Sequence, residues 1–247
     1  MSFPRTLVFG DIHGGLRALE EVLRQLNPSE SDEFIFLGDY VDGWSQAFET
    51  VEFLIDFGTR FNARFLRGNH DDLLLGWLRD NVEHPLWLRS GGSITKKSYE
   101  VITTQNRIRH IAFLESLEDY YLDNENRLFI HAGFTNLRGV QYEYFTKNYY
   151  WDRTLWETAL SLDPRLTHTD ALYPSRLRHY NEIFIGHTPV TRIGKQHPHR
   201  AANIWNVDTG AAFNGCLSVL EVSSKKLWQS KPVMSFYPGE SGRNGEG

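Results

Sequence analysis

An α/β domain, with helices packed on the faces of a layered sheet, is the fold class this chain predicts. Short β-branched or aromatic runs recur at Thr6 to Phe9, Phe34 to Leu37, Arg64 to Leu66, Leu128 to Ile130, Ile183 to Ile185 and Ile204 to Val207, and each reads as a buried strand. Apolar residues between them return at helical spacing instead. Each run also ends on residues able to bind a ligand, and ligands collect at the carboxyl ends of strands in sheets of this kind.

In chain order, Leu16, Leu19, Val22, Leu23 and Leu26 form the apolar face of a first helix, closed by Asn27-Pro28. A second helix is expected around Phe48, Val51, Leu54 and Ile55. From Leu73 to about Asp119 the signals are mostly helical, through Leu73 to Leu78 and Ile108, Ile111, Ala112, Phe113 and Leu117, and predict an inserted cap without a catalytic ligand. Asn203 to Val207 and Leu217 to Val222 read as late strands joined through Asp208-Thr209-Gly210. Residues 1–237 are expected to form one domain, and Pro238 to Gly247, Gly-rich and polar, a frayed tail.

With 247 residues, 40% of them hydrophobic, the chain can bury one sizeable core. Lys and Arg total 26 against 31 Asp and Glu, and the formal charge of −5 gives no footprint for non-specific nucleic-acid binding. Cys216 is the only cysteine, in an apolar stretch that suits a small core residue, so no internal disulfide forms. The start, Met-Ser-Phe-Pro-Arg, lacks a long apolar run, and a cytoplasmic location is expected. No segment reaches the roughly 18 continuous apolar residues of a membrane span.

The chemistry lies in five blocks: Gly10-Asp11-Ile12-His13-Gly14, Gly38-Asp39-Tyr40-Val41-Asp42, Arg67-Gly68-Asn69-His70-Asp71, His131-Ala132-Gly133 and Gly186-His187-Thr188. Asp11 and His13, one residue apart on a loop, can point to one side and grip one cation. Asp39 has two carboxylate oxygens and could bridge two cations. Asn69, His131 and His187 complete a mixed oxygen and nitrogen set suited to manganese, iron or zinc. Two such ions would lower the pKa of a bridging water, orient a phosphate and neutralise its charge, so hydroxide serves as nucleophile and no nucleophilic side chain is needed. His70, next to Asn69, is placed to protonate a leaving group. Asp42 and Asp71 are both spaced to orient its imidazole.

Together these blocks resemble the signature of the phosphoprotein phosphatase family, a branch of the calcineurin-like metallophosphoesterases, over Gly10 to about Val222. The resemblance implies a two-sheet β-sandwich flanked by helices, with a mostly helical cap at about 73–119. It also implies two divalent or trivalent metal ions, manganese first. In that scheme Asp11, His13 and His187 hold one ion with Asp39, and Asn69, His131 and bridging Asp39 hold the other. His70 is then the general acid and Asp42 its partner. More loosely, Ser90-Gly91-Gly92-Ser93-Ile94-Thr95 with Tyr99 resembles a pattern of bacterial members.

The chain departs from the family after Val41, where Asp42-Gly43-Trp44 stands in place of Asp-Arg-Gly and a phosphate-gripping arginine is missing. Arg153 occupies a region similar to that of the family's second phosphate arginine, and a surface salt bridge is its plain alternative. Trp44 is either a substrate-stacking ring or, as packing statistics favour, a core or lid residue. His84, His110, His168, His179, His197 and His199 have no ligand context. The resemblance implies a serine/threonine protein phosphatase of bacterial type acting on a phosphorylated protein or small phosphoester. Its rivals are a symmetrical dinucleoside tetraphosphate hydrolase and a non-catalytic module that binds a phosphorylated partner.

Overall fold

The computed structural model describes residues 4–100 and 102–244; Met1 to Phe3 and the last three residues of the expected tail lie outside them. Two five-stranded sheets form the centre. In the first, β1 (Thr6–Phe9), β2 (Glu33–Phe36) and β3 (Asn62–Phe65) run parallel, and β9 (Cys216–Glu221) and β10 (Leu227–Pro232) extend the β1 edge antiparallel. In the second, β5 (Arg127–Ile130), β6 (Glu182–Ile185) and β8 (Ile204–Asn206) run parallel between antiparallel edges β4 (Tyr120–Leu122) and β7 (His199–Ala201).

Strand side chains alternate between faces, and that alternation sends successive residues of β1 into two different cores. Leu7 and Phe9 pack with Ala18, Leu19 and Val22 of helix α1 (Leu16–Leu26). Val8 points the other way, into a layer shared by Ile35, Leu37 and Leu66 from the first sheet and Phe129, Phe184 and Val207 from the second. Phe129 and Phe184 stack there with centroids 5.0 Å apart, and truncating either to alanine would cost about 3–5 kcal/mol. The chain ends α1 as its sequence predicts: Asn27 turns left-handed and donates its N–H to Leu23 O, before Pro28.

Helix α2 (Ala47–Arg60) covers the first sheet beside α1. The cap region holds α3 (Asn69–Asp80), α4 (Pro85–Trp87), a short π-helical turn over 88–92, α5 (Ser93–Ser98) and α6 (Thr104–Glu115). Helix α3 begins at Asn69 rather than Leu73, because Asp71 accepts the N–H of Gly68 at 2.9 Å and caps the helix one turn earlier. Among the described residues no helix is long and apolar enough to cross a membrane.

The segment expected to fray makes hydrogen bonds to the domain as far as Asn244. Glu240 accepts from Ser45 N at 3.0 Å and Ser45 Oγ at 2.7 Å, and Arg243 N donates to Ala212 O at 2.8 Å. These contacts hold 238–244 against the body of the domain. Polar composition alone gave no sign of them.

Candidate metal centre

Parallel strands place all their carboxyl ends on one edge of a sheet, so the loops after β1, β2, β3, β5, β6 and β8 open on a common cleft of about 620 Å³. His13, Asp39, Asn69, His70, His187 and Asp208 line its floor. Backbone must come very close there: a Cβ on Gly68 would overlap Asp39 Oδ1, and one on Gly186 would overlap Asp11 Oδ1. His13, Asp39, Asp42 and His187 take left-handed φ values of 53°, 54°, 68° and 67°. Such values are uncommon outside glycine, asparagine and aspartate, and cluster at functional sites.

Donor atoms of Asp39, His131 and His187 lie within 4.8 Å of one another, and so do those of His13, Asp39 and His70. Asp39 belongs to both groups. Its Oδ2 stands 3.7 Å from His13 Nε2 and 3.4 Å from His131 Nε2, while its Oδ1 accepts the N–H of His70. Each imidazole is aimed by its other nitrogen: His13 Nδ1 lies 2.8 Å from Asp42 O, and His131 Nδ1 2.8 Å from Leu37 O. His131 Nε2 is buried and, among the described residues, has no hydrogen-bond partner. A buried nitrogen 3.4 Å from a carboxylate, beyond the usual hydrogen-bond range, amid further nitrogen and oxygen donors, fits a bound cation.

The His187 side chain lies among Asn69, His131 and Asp39. Because β5 and β6 are adjacent and parallel, the loops after them bring the His131 and His187 rings to 5.1 Å. His187 Nδ1 lies 2.9 Å from Asn69 Oδ1, so its side chain joins Asn69, His131 and Asp39. Asp11 receives only the backbone N–H of His187, at 3.1 Å, and its carboxylate faces His13 Nε2 at 3.7 Å.

His70 Nδ1 stands 2.7 Å from Asp42 Oδ2, which leaves Nε2 for the cleft. Asp71 is occupied elsewhere, accepting from the backbone of Asp39, Tyr40 and Gly68. The cap, expected to carry no catalytic ligand, supports this pair. Trp87 Nε1 donates to the same Asp42 Oδ2 at 2.6 Å, and Asp42 N donates to Thr95 Oγ1 at 3.0 Å. Thr95 belongs to the loosely matched segment, whose Tyr99 hydroxyl lies 2.9 Å from His110 Nδ1 in a buried pair. No local pattern announced Trp87; only the fold brings it to Asp42.

The floor is a set of charges held close in a dry place. Burial pushes the Asp11 carboxyl up to about 7 despite His131 nearby. Burial would lower His131, yet the Asp39 carboxylate beside it raises it to about 10. Asp39 runs the other way: burial would raise it, but His131 and His70 hold it well below its usual range. Asp208 is pushed up to about 8 by burial and then by Asp11. Sequence analysis missed Asp208 as a site residue, although it directly follows an apolar run like the five blocks.

Arg153 lies on the cleft wall and donates from Nε to His187 Nε2 at 3.3 Å. Lys147, Arg192 and Arg243 share that wall with Trp151 and Phe213. Trp44 does not reach it. The indole is 0% exposed, donates to Ala211 O at 2.8 Å and stacks on Tyr237 at 5.3 Å, so the suggested stacking contact with substrate gives way to core packing. Gly43 has no room for a side chain, since a Cβ would meet His13 O at 2.8 Å.

Residues 4–213 match the family model of calcineurin-like phosphoesterases. A Schizosaccharomyces pombe protein with a provisional serine/threonine-protein phosphatase name is 42% identical over 73 residues, 29% of this chain and 24% of that protein, so the chain covers about a quarter of its length. A bis(5'-nucleosyl)-tetraphosphatase of the asymmetrical kind from Oceanobacillus iheyensis is 25% identical over 240 residues, covering 89% of each chain. A solved structure described provisionally as a diadenosine tetraphosphatase shares the fold with TM-score 0.63 at 20% identity, over 92% of both chains.

Proposed function

The chain belongs to the calcineurin-like phosphoesterase family, and from that premise we propose that it hydrolyses phosphate esters or anhydrides at a binuclear metal centre. One observation carries the proposal: the buried Nε2 of His131, without a hydrogen bond among the described residues and 3.4 Å from Asp39 Oδ2, with Asp39 common to both donor groups. On this reading Asp11, His13 and Asp39 hold one ion, and Asp39, Asn69, His131 and His187 the other. Bound there, manganese, iron or zinc would acidify an attacking water, orient the phosphoryl group and neutralise its charge.

The chain's own residues do the rest. His70 Nε2 gives its proton to the oxygen released as the P–O bond breaks, and Asp42 holds the opposite nitrogen protonated throughout. Trp87 fixes Asp42 so that this carboxylate stays aimed. Arg153 binds a phosphoryl oxygen from the wall of the cleft. A binding module would have no use for the His70 and Asp42 pair, which argues for catalysis.

Two substrate classes share this floor. The phosphoserine or phosphothreonine reading rests on the motifs. The dinucleoside polyphosphate reading is favoured by the rim, where Lys147, Arg153, Arg192 and Arg243 could follow a chain of phosphates and Trp151 or Phe213 could stack on a base. Parallel turnover of manganese-loaded protein on a phosphothreonine peptide and on diadenosine tetraphosphate, with Asp39→Asn as blank, separates them. Faster dinucleotide cleavage is expected. Its products, two ADP or ATP with AMP, report the symmetry of cleavage, and no turnover of either substrate defeats the proposal.

A further inference from the structure

The C-terminal segment carries a guanidinium into the cleft. Arg243 lines the same wall as Arg153 and Arg192, close to His13 and Asp208 on the floor. Its Cζ lies over the Phe213 ring at 5.4 Å, and among the described residues no carboxylate pairs with it. Arg192 is likewise without an ion-pair partner among the described residues. Three guanidinium groups on one wall repel each other and gain by meeting an anion between them.

That placement is built. Trp44 stacks on Tyr237 and donates to Ala211 O, which fixes one end of the segment. Glu240 is tied to Ser45, and Asn244 Nδ2 donates to Asn214 Oδ1 at 2.9 Å, which fixes the other. Gly242 lies flat on the indole: a Cβ there would meet Ala212 O at 2.6 Å and Trp44 Cζ2 at 2.8 Å. Arg243, the next residue, donates its own N–H to Ala212 O, and its side chain lies over Phe213 on the cleft wall. The indole at position 44 therefore acts on the site indirectly, by holding the segment that carries the arginine.

We propose that Arg243 is a substrate-binding residue that grips a phosphoryl oxygen, delivered to the metal centre by the chain's own C-terminal segment. This rests on the phosphoesterase reading for the identity of the anion. A guanidinium donates two parallel N–H bonds to a phosphoryl group, a geometry that lysine lacks and glutamine cannot match in charge.

The test uses full-length, manganese-loaded wild type, Arg243→Gln and Arg243→Lys. Calorimetry measures binding of inorganic phosphate, and steady-state kinetics on diadenosine tetraphosphate measure KM and kcat. Arg243→Gln should raise the phosphate Kd about tenfold and KM in parallel, at unchanged metal content and thermal midpoint, with Arg243→Lys recovering part of the loss. Unchanged Kd and KM in an active Arg243→Gln enzyme would overturn the assignment and leave the hydrolase reading standing. Wild type that binds phosphate but turns over nothing, with binding weakened by Arg243→Gln, would leave Arg243 standing and remove the hydrolase. No phosphate binding by wild type would overturn the assignment of Arg243.

Discussion

The floor of the cleft and its rim are built on different terms. On the floor, Asp11, His13, Asp39, Asn69 and His131 are each within 4% of fully buried and sit one to four residues beyond a strand, and the two histidines are aimed by neighbouring backbone. On the rim, Trp87 comes from the cap, Arg153 from the stretch after β5, and Arg243 from the C-terminal segment, each reaching the cleft from a different part of the chain. A buried charge cluster persists only where many backbone contacts fix it, whereas solvated guanidinium groups need only one anchor apiece. The floor can therefore keep one chemistry while the rim changes the substrate.

The largest effect should come from the floor's shared carboxylate. Asp39→Asn removes the charge that both donor groups share, and activity should fall by about a thousandfold with loss of bound metal by elemental analysis. Full metal content with unchanged turnover would break the contrast at its centre. His70→Asn comes next, slowing alkyl phosphates by about 10²–10⁴-fold and p-nitrophenyl phosphate far less, since only the poor leaving group needs a proton. Equal losses on both would remove His70 from acid catalysis.

Where rim meets floor, Trp87→Phe keeps the ring but strips one donor from Asp42. An alkyl phosphate should be turned over about tenfold more slowly, with KM unmoved. Loss in KM alone would make Trp87 a rim residue in function as well as origin. The smallest effect concerns Asp208 in chelated protein. Its folded pKa, about 8, lies above the 3.8 of an ordinary aspartate, so the unfolded chain releases this proton first and stability falls as pH rises from about 4 to 8. Asp208→Asn removes that fall. Its thermal midpoint should exceed wild type by more at pH 8 than at pH 5, and equal gains at both would show that Asp208 is not held protonated.

The same contrast explains what could be read without coordinates. Strand ends are local features, so Asp11, His13, Asp39, Asn69, His131 and His187 were all visible as ligand types behind apolar runs. Their sharing out was not: whether His187 serves with Asp11 or with His131 depends on β5 pairing with β6, a contact over more than fifty residues of sequence. The choice of Asp42 over Asp71 turned on a helix cap that occupies Asp71. Trp87 and Arg243 were invisible because their partners, Asp42 and the cleft, lie far along the chain. Trp44 reads in the sequence as a substrate-stacking ring with packing as the plainer alternative; the structure packs it, and what packs on it includes a segment expected to fray.

The left-handed turns at His13, Asp39, Asp42 and His187 bear on how such a protein would decay over generations. Backbone there costs a side chain about 1–2 kcal/mol that glycine does not lose. A codon change from Asp39 or Asp42 to glycine or asparagine therefore removes the chemistry and relaxes, or at least tolerates, the local backbone. Asp39→Asn, which keeps an oxygen for the His70 N–H, should leave the cleft and its arginines folded, whereas loss of the Asp42 carboxylate also strands the buried Trp87 donor.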